Sequence, residues 1–461
     1  MNVARSSMLG SSVALVLALG ACDSPALRGS DGGARDAIAT FDARGNDAAP
    51  GDGGRALDAY LDPTIDAYLD PSLDAFVVPG DDAFVALPDA FVPPGIDAFV
   101  LPPDAFVPPP DAFVPPPPTG FETLFSHRSA TNDRDTTIED RVVQLIDMAV
   151  PGSRIRVAIY TFTRGAPSAA LVRAAMRGVD VRIVLDGGAD ATVGSEVATL
   201  RTGLGAGNVH LCDAPGTSCI GTGIMHHKTF LFSELSDGSR NVVMQSSHNL
   251  TTTQLTMHNN AVIVRGDAAL FAAYEHTWND LWADVENADY YRIDDGDLAT
   301  RLYSYPRGTG GDTSVSILDN VTCDGTARIR VAMAFFTNAR SAVADALAAR
   351  AREGCDVRVV AGDAEIPLGT TVASTLTGAG VRLTRYPERT NGWSLHSKYI
   401  VIDARYSGSA THRRLVFTGS HNWTGPSLTD NDETQLRIED DAVFDAYMAD
   451  WAHIQASASL P

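Results

Sequence analysis

The stretch His396-Ser397-Lys398-Tyr399-Ile400-Val401-Ile402-Asp403, followed shortly by Gly419-Ser420-His421-Asn422, decides how this chain is read. It has an echo about 170 residues earlier, His226-His227-Lys228 and then Ser246-Ser247-His248-Asn249. Lys228 and Lys398 are the only two lysines in the chain; every other cationic side chain is arginine. Lysine is a compact, rotatable point charge and arginine a flat fork. Using lysine at two points alone, each two residues after a histidine, asks for a chemical reason. The apolar run after Lys398 reads as a strand. On a strand, residues i and i+2 share a face, so His396 and Lys398 project together, as do His226 and Lys228, while His227 points the other way.

Working outward from the two motifs, their surroundings repeat as well. Arg154-Ile155-Arg156-Val157-Ala158-Ile159 returns as Arg328-Ile329-Arg330-Val331-Ala332-Met333, and Val179 to Leu185 returns as Cys355 to Val360. Helical patterns over Ala169–Arg177 and Ser341–Arg352 lie between these strands. Phe271, Tyr274 and Trp278 have the spacing of Phe444, Tyr447 and Trp451, which predicts the core-facing stripes of two equivalent helices. Thr137-Ile138-Glu139-Asp140 reads as a capping box opening a helix whose apolar face is Ile138, Val142, Leu145 and Ile146. Arg156 and Arg330 read as surface-facing positions of their strands. Alternating strands and helices predict an α/β fold of two similar halves, with mixed sheets flanked by helices and a site at the interface of the halves. The boundaries expected are 121–300 and 301–461.

His396-x-Lys398-x4-Asp403, with Gly419-Ser420-x-Asn422 and the internal duplication, resembles the phospholipase D superfamily. The resemblance covers residues 121–461. It implies that His226 and His396 are a catalytic pair, one attacking phosphorus to form a phosphohistidine and the other protonating the leaving alcohol. Lys228, Lys398, Asn249 and Asn422 are implied to hold the phosphate oxygens. Ser247, Ser420 and Asp403 support the motifs, with Asp403 read as a structural strand-end carboxylate. Glu433 takes the place of the carboxylate that orients the histidine of its own motif. No cofactor or metal is implied. The N-terminal copy departs from the pattern: Ser233 stands where Asp is expected, and aligning Val262-Ile263-Val264 with Gln435-Leu436-Arg437 places Asn260 opposite Glu433. On this reading His226 lacks an anionic partner, the nucleophile stays open between His226 and His396, and an inactive N-terminal copy is an alternative.

The rest of the chain sets the context. Residues 1–22 carry Arg5 and the apolar run Val13 to Leu19, ending Leu19-Gly20-Ala21-Cys22, the pattern of a lipoprotein signal with Cys22 lipidated. The net charge is −22, of which −13 falls between residues 23 and 118, where 17 Asp and no Glu face 4 Arg. Residues 23–120 are expected to be a disordered acidic linker. Its later part repeats Asp-Ala-aromatic from Asp58 to Asp111 with interspersed prolines that forbid a continuous helix. A stalk and a partner-binding array are both open readings of it. Cys212, Cys219, Cys323 and Cys355 permit disulfides in an exported chain, most simply Cys212–Cys219 and Cys323–Cys355.

Taken together, the expectation is a lipid-anchored enzyme of the bacterial cell envelope. It is expected to cleave glycerophospholipids to phosphatidic acid and a head-group alcohol, and to be monomeric because both motifs lie in one chain. The acidic core gives little support for nucleic acid, whose binding rests on phosphate neutralisation. A secreted nuclease of the same superfamily and a non-catalytic phosphate- or lipid-binding surface protein are the alternatives.

Overall fold

A computed structural model describes residues 118–128, 134–188, 196–213, 215–363, 366–386 and 393–458. The expected signal segment with Cys22, and all but the last residues of the expected linker, lie outside them. The N-terminal half contributes strands β1 (Gly120–Ser126), β2 (Arg154–Ile159), β3 (Asp180–Leu185), β4 (Val209–Leu211), β5 (Lys228–Glu234), β6 (Arg240–Ser246) and β7 (Met257–Arg265). Its helices are α1 (Thr137–Met148), α2 (Gly165–Met176), α3 (Val197–Leu204) and α4 (Ala268–Trp282). After β8 (Arg292–Asp295), β9 (Thr300–Ser304), α5 (Thr313–Asp319) and β10 (Val321–Thr322), the pattern repeats. It runs through β11 (Arg328–Met333), α6 (Ser341–Arg352), β12 (Asp356–Gly362), α7 (Thr370–Gly378), β13 (Arg382–Tyr386) and β14 (Ser394–Leu395). It ends with β15 (Lys398–Tyr406), β16 (His412–Gly419), α8 (Gly425–Thr429), β17 (Thr434–Glu439) and α9 (Asp441–Ser457).

Each half builds one mixed sheet. The first runs β1-β7-β6-β5-β2-β3-β4, the second β13-β12-β11-β15-β16-β17-β9-β8. In both, the strand carrying the lysine is antiparallel to the first repeated strand: Ile159 faces Lys228, and Met333 faces Lys398. The α/β architecture of two similar halves is thus observed.

Three apolar clusters hold these layers. Ile138, Val142, Leu145 and Ile146 of α1 are buried with Leu171 and Ala174 of α2 against one face of the first sheet. Val343 and Leu347 of α6 and Val372 and Leu376 of α7 do the same for the second. The third cluster joins the two halves. It contains Val243, Val262 and Val264 from one sheet, Val401, Val416 and Leu436 from the other, and the stripes Phe271-Tyr274-Trp278 and Phe444-Tyr447-Trp451 of α4 and α9. The stripes are core, as their spacing predicts. Each Trp indole also donates to a strand carbonyl, Trp278 to Val157 and Trp451 to Val331, both at 2.8 Å.

Two local expectations are corrected. Arg156 and Arg330 are buried, not surface-facing. Their guanidinium groups lie 5.2 Å and 5.3 Å from the rings of Trp278 and Trp451, and they pair with Asp180 and Asp356. Arg tolerates such a site because its flat, weakly hydrated head stacks on an aromatic face. The capping box does not form. Thr136 precedes α1 without a side-chain cap, and Glu139 instead takes both of its oxygens to Arg164 at 2.7 and 3.0 Å.

Candidate active site

Lys228 opens β5 and Lys398 opens β15, so each motif lies where an antiparallel hairpin begins. The end of the partner strand, Ser246 of β6 or Gly419 of β16, comes back to the same sheet edge, and Ser247-His248-Asn249 and Ser420-His421-Asn422 continue from there. Ser247 N–H donates to Asn260 O at 2.9 Å and Ser420 N–H to Thr434 O at 3.0 Å. The two serines therefore stitch their loops to the start of the next strand.

The motifs meet through a reciprocal exchange. The backbone just before each HxK pairs with the strand end of the other half. Ser394-Leu395 of β14 joins the first sheet by running parallel to Met257-His258, and Met225 bridges to Asp432 in the same sense. His396 N–H donates to His258 O and His226 N–H to Asp432 O, each at 2.9 Å. Asp432 is itself locked in place, its carboxylate accepting from the N–H groups of Cys219 (2.7 Å) and Gly221 (2.7 Å) and from that of Ile220. Burial pushes its carboxyl up to about 7 against those three hydrogen bonds. Cys219 is joined to Cys212 by a disulfide that closes the base of this loop, and a second disulfide joins Cys323 to Cys355.

The side chains at the centre are almost sealed: His226 is 7% exposed, His396 6%, Lys228 0% and Lys398 2%. Each ammonium folds back onto the carbonyl of its own motif histidine, Lys228 Nζ to His226 O at 2.8 Å and Lys398 Nζ to His396 O at 2.7 Å. A positive charge is thereby fixed under each imidazole. Tyr160 stands edge-on to His226 with ring centroids 5.2 Å apart and lies 5.3 Å from Lys228 Nζ; Phe335 lies 5.9 Å from Lys398 Nζ. Burial lowers the Lys228 ammonium to about 7, with Glu433 and Asp186 opposing the shift.

The two histidines differ in what holds Nδ1. His226 Nδ1 is 2.9 Å from both carboxylate oxygens of Glu433, which is fully buried. His396 Nδ1 is 2.9 Å from Asn259 Oδ1. This corrects three sequence expectations. Glu433 does not orient the histidine of its own motif; it crosses to the other half. His226 is not without an anion. The residue corresponding to Glu433 is Asn259, not Asn260. Thirteen residues separate Ser247 from its partner Asn260, but fourteen separate Ser420 from Thr434, so a count from the serines slips by one. Gly266, at φ +78, supplies the extra residue between β7 and the cap of α4 that restores the offset of the helices.

Asp403 is not part of the site. It lies five residues along β15 from Lys398, about 17 Å at the rise of a strand, where it pairs with Arg328 and His412. Ser233 occupies the equivalent end of β5 and accepts the Arg154 N–H at 2.9 Å. The lost carboxylate of the N-terminal copy is therefore a strand-end anchor. His227 is buried and faces away from the motif pair. Asn249 and Asn422 lie at matching positions, 7% and 4% exposed, each with a buried Oδ1 that has no protein partner.

A family model described as "Cardiolipin synthase, PLD-like domain" matches residues 142–282 and 324–454, one match in each half and more than half of the chain. The chain belongs to this phospholipase D-like family and is an enzyme of the class acting on phosphodiester bonds. Among solved structures, phosphatidylserine synthase from Haemophilus influenzae Rd KW20 is similar with TM-score 0.53 and 12% identity, covering 72% of this chain and 86% of that one. That likeness concerns the fold. Polyphosphate kinase from Porphyromonas gingivalis is similar over 72% of this chain and 49% of its own, with TM-score 0.48 and 15% identity. The phospholipase D family member Nuc from Salmonella typhimurium covers 39% of this chain and 99% of its own, with TM-score 0.28 and 21% identity. A search of curated proteins gave no match.

Proposed function

We propose that this chain cleaves glycerophospholipids as a phosphodiesterase of phospholipase D type, giving phosphatidic acid and a free head-group alcohol. The carrying observation is the pair of buried imidazoles, one from each half, each with an ammonium fixed beneath it and each held at Nδ1 by the opposite half. Both leave Nε2 for the substrate. His226 Nε2 attacks phosphorus while the bond to the leaving oxygen breaks. The resulting phospho-imidazolium keeps its Nδ1–H on Glu433, whose negative charge offsets the positive charge on the ring. His396 Nε2–H gives its proton to the leaving alkoxide. It then takes a proton from water, or from an acceptor alcohol, whose oxygen displaces His226 from phosphorus. Lys228, Lys398, Asn249 and Asn422 hold the non-bridging oxygens. The two ammonium groups supply fixed charge where negative charge develops.

The lipid reading draws on the description of the matching family and on the expected anchor at Cys22, which would keep the enzyme at a membrane of the cell envelope. The test uses the full chain with phospholipid vesicles and with supercoiled plasmid, each with and without EDTA. Head-group release that survives EDTA and is abolished in both His226→Ala and His396→Ala supports the proposal. Plasmid nicking without lipid turnover would assign the chain to nucleic acid instead. Activity persisting in His226→Ala would overturn the two-histidine mechanism.

A further inference from the structure

Asn259 is the one group at the centre whose orientation is dictated from three sides. Its Nδ2 donates to the backbone carbonyls of Gln254 and Met257 at 3.3 and 3.2 Å. Its Oδ1 is therefore turned away from them, toward His396 Nδ1 at 2.9 Å and Ser247 Oγ at 3.1 Å. The side chain is fully buried, so the alternative flip would set an oxygen against two carbonyls with no water to relieve it. A carboxylate would meet the same two carbonyls, which explains an amide here where Glu433 stands in the other half. An amide oxygen only accepts. His396 Nδ1 must then carry a hydrogen whether the ring is neutral or charged, and its bare or protonated nitrogen toward the substrate is Nε2.

We propose that Asn259 is the positioning residue of His396: it fixes the ring in the Nδ1–H form and withholds a negative charge from it, which makes His396 the proton donor to the leaving alcohol and leaves phosphorus to His226. The inference rests on the phosphodiesterase reading for its catalytic half, but its structural half stands alone. The groups acting on His396 are Lys398 on its own strand and Lys228, His226 and His248 from the other half, none of them an anion. Burial and these cations hold its imidazolium well below the ordinary range. At His226 the burial is opposed by Glu433, and the ring lies at about 4. A proton donor that holds its proton loosely gives it up readily to an alkoxide; a nucleophile with an anion behind it tolerates the positive charge it acquires.

The experiment is imidazole nitrogen NMR on the full chain with ¹⁵N-labelled histidine, between about pH 4 and 8. His396→Gln and His226→Gln assign the two rings. The expected native spectrum shows His396 with Nδ1 protonated and Nε2 bare at neutral pH, and titrating below His226. Asn259→Leu is expected to release His396 into a mixture containing the Nε2–H form. A native His396 protonated at Nε2 alone, or titrating above His226, overturns the inference, and neither observation needs turnover or a folded variant. The second arm compares a p-nitrophenyl phosphodiester, whose leaving group needs no proton, with an alkyl phosphodiester. Asn259→Leu should lower turnover of the alkyl substrate at least about tenfold more than that of the aryl one. Equal losses would mark Asn259 as merely structural. If the native enzyme turns over neither diester while the spectra are as expected, the phosphodiesterase reading fails and the positioning of His396 survives.

Discussion

Glu433 closes on His226, not on His396: both of its carboxylate oxygens lie 2.9 Å from Nδ1 of a histidine 207 residues away in sequence and in the opposite half. This one contact makes the N-terminal motif the better supported of the two, although its sequence is the more eroded.

Removing that charge should therefore silence the enzyme without unfolding it. Glu433→Gln is expected to lower head-group release by about 10²–10⁴-fold, the scale seen when the orienting carboxylate of a catalytic histidine becomes an amide. Asp403→Asn, at the far end of β15, should leave the rate within about threefold of native and act through its ion pairs with Arg328 and His412, which are worth about 1 kcal/mol or less each. Equal losses in both variants would refute the assignment of Asp403 to the strand end.

Lysine is required by the geometry beneath each imidazole. The ammonium of Lys228 and of Lys398 turns back within 2.8 Å of the carbonyl two residues earlier in a space closed to water. A guanidinium is flat and longer. Lys228→Arg and Lys398→Arg are each expected to reduce kcat by more than about tenfold, and circular dichroism should show an intact fold. Near-native rates would mean that charge alone suffices.

The disulfides should not be equivalent. Cys212–Cys219 ends at the loop whose N–H groups hold Asp432, and Asp432 O in turn holds His226. Cys323–Cys355 ties β10 to the strand region behind the second sheet, away from the motifs. Serine replacement of the first pair should lower activity as well as thermal stability. Replacement of the second should cost stability alone, within the range of about 2–4 kcal/mol typical of disulfides. Activity and melting temperature measured on both variants decide this.

Acid should unfold the protein early. Burial pushes His226 down to about 4 and His227, His248 and His258 to about 3, from 6.5, and holds His396 and His421 well below it. These rings are neutral when folded and take up protons near pH 6.5 when unfolded. The stability they allow is present above that pH and is lost as pH falls toward their folded values. Each proton taken up on unfolding costs about 1.4 kcal/mol per pH unit. Calorimetry between about pH 7 and 5 should show a steeply falling Tm and an uptake of several protons; a Tm independent of pH in that window would contradict the burial of these rings as neutral groups.

Much of the architecture could be read from the chain because duplication prints every element twice. The repeated Arg-x-Arg strands, the aromatic stripes of α4 and α9 and the two HxK motifs are each confirmed by a counterpart. What escaped was contact between the halves. Glu433 and Asn259 act on histidines of the opposite half, and strand periodicity carries no information about which half a side chain will face. The one-residue difference between the Ser247–Asn260 and Ser420–Thr434 loops, compensated at Gly266, is invisible to gap-free counting. A glycine ahead of the Asp267 cap, with none ahead of Asp440, was its only trace. Arg156 and Arg330 were misplaced because alternation along a strand assumes one wet face, whereas α4 and α9 cover that face with tryptophan.

The reciprocal docking of each HxK segment onto the other half's strand has the form of a symmetric dimer joined end to end. In a true homodimer, one gene position would have to serve behind both histidines, so both would receive the same residue. Continuity of the chain removes that constraint. It allows a carboxylate at one of two equivalent places and an amide at the other, so the two chemical roles, once interchangeable by symmetry, can be tuned by separate mutations.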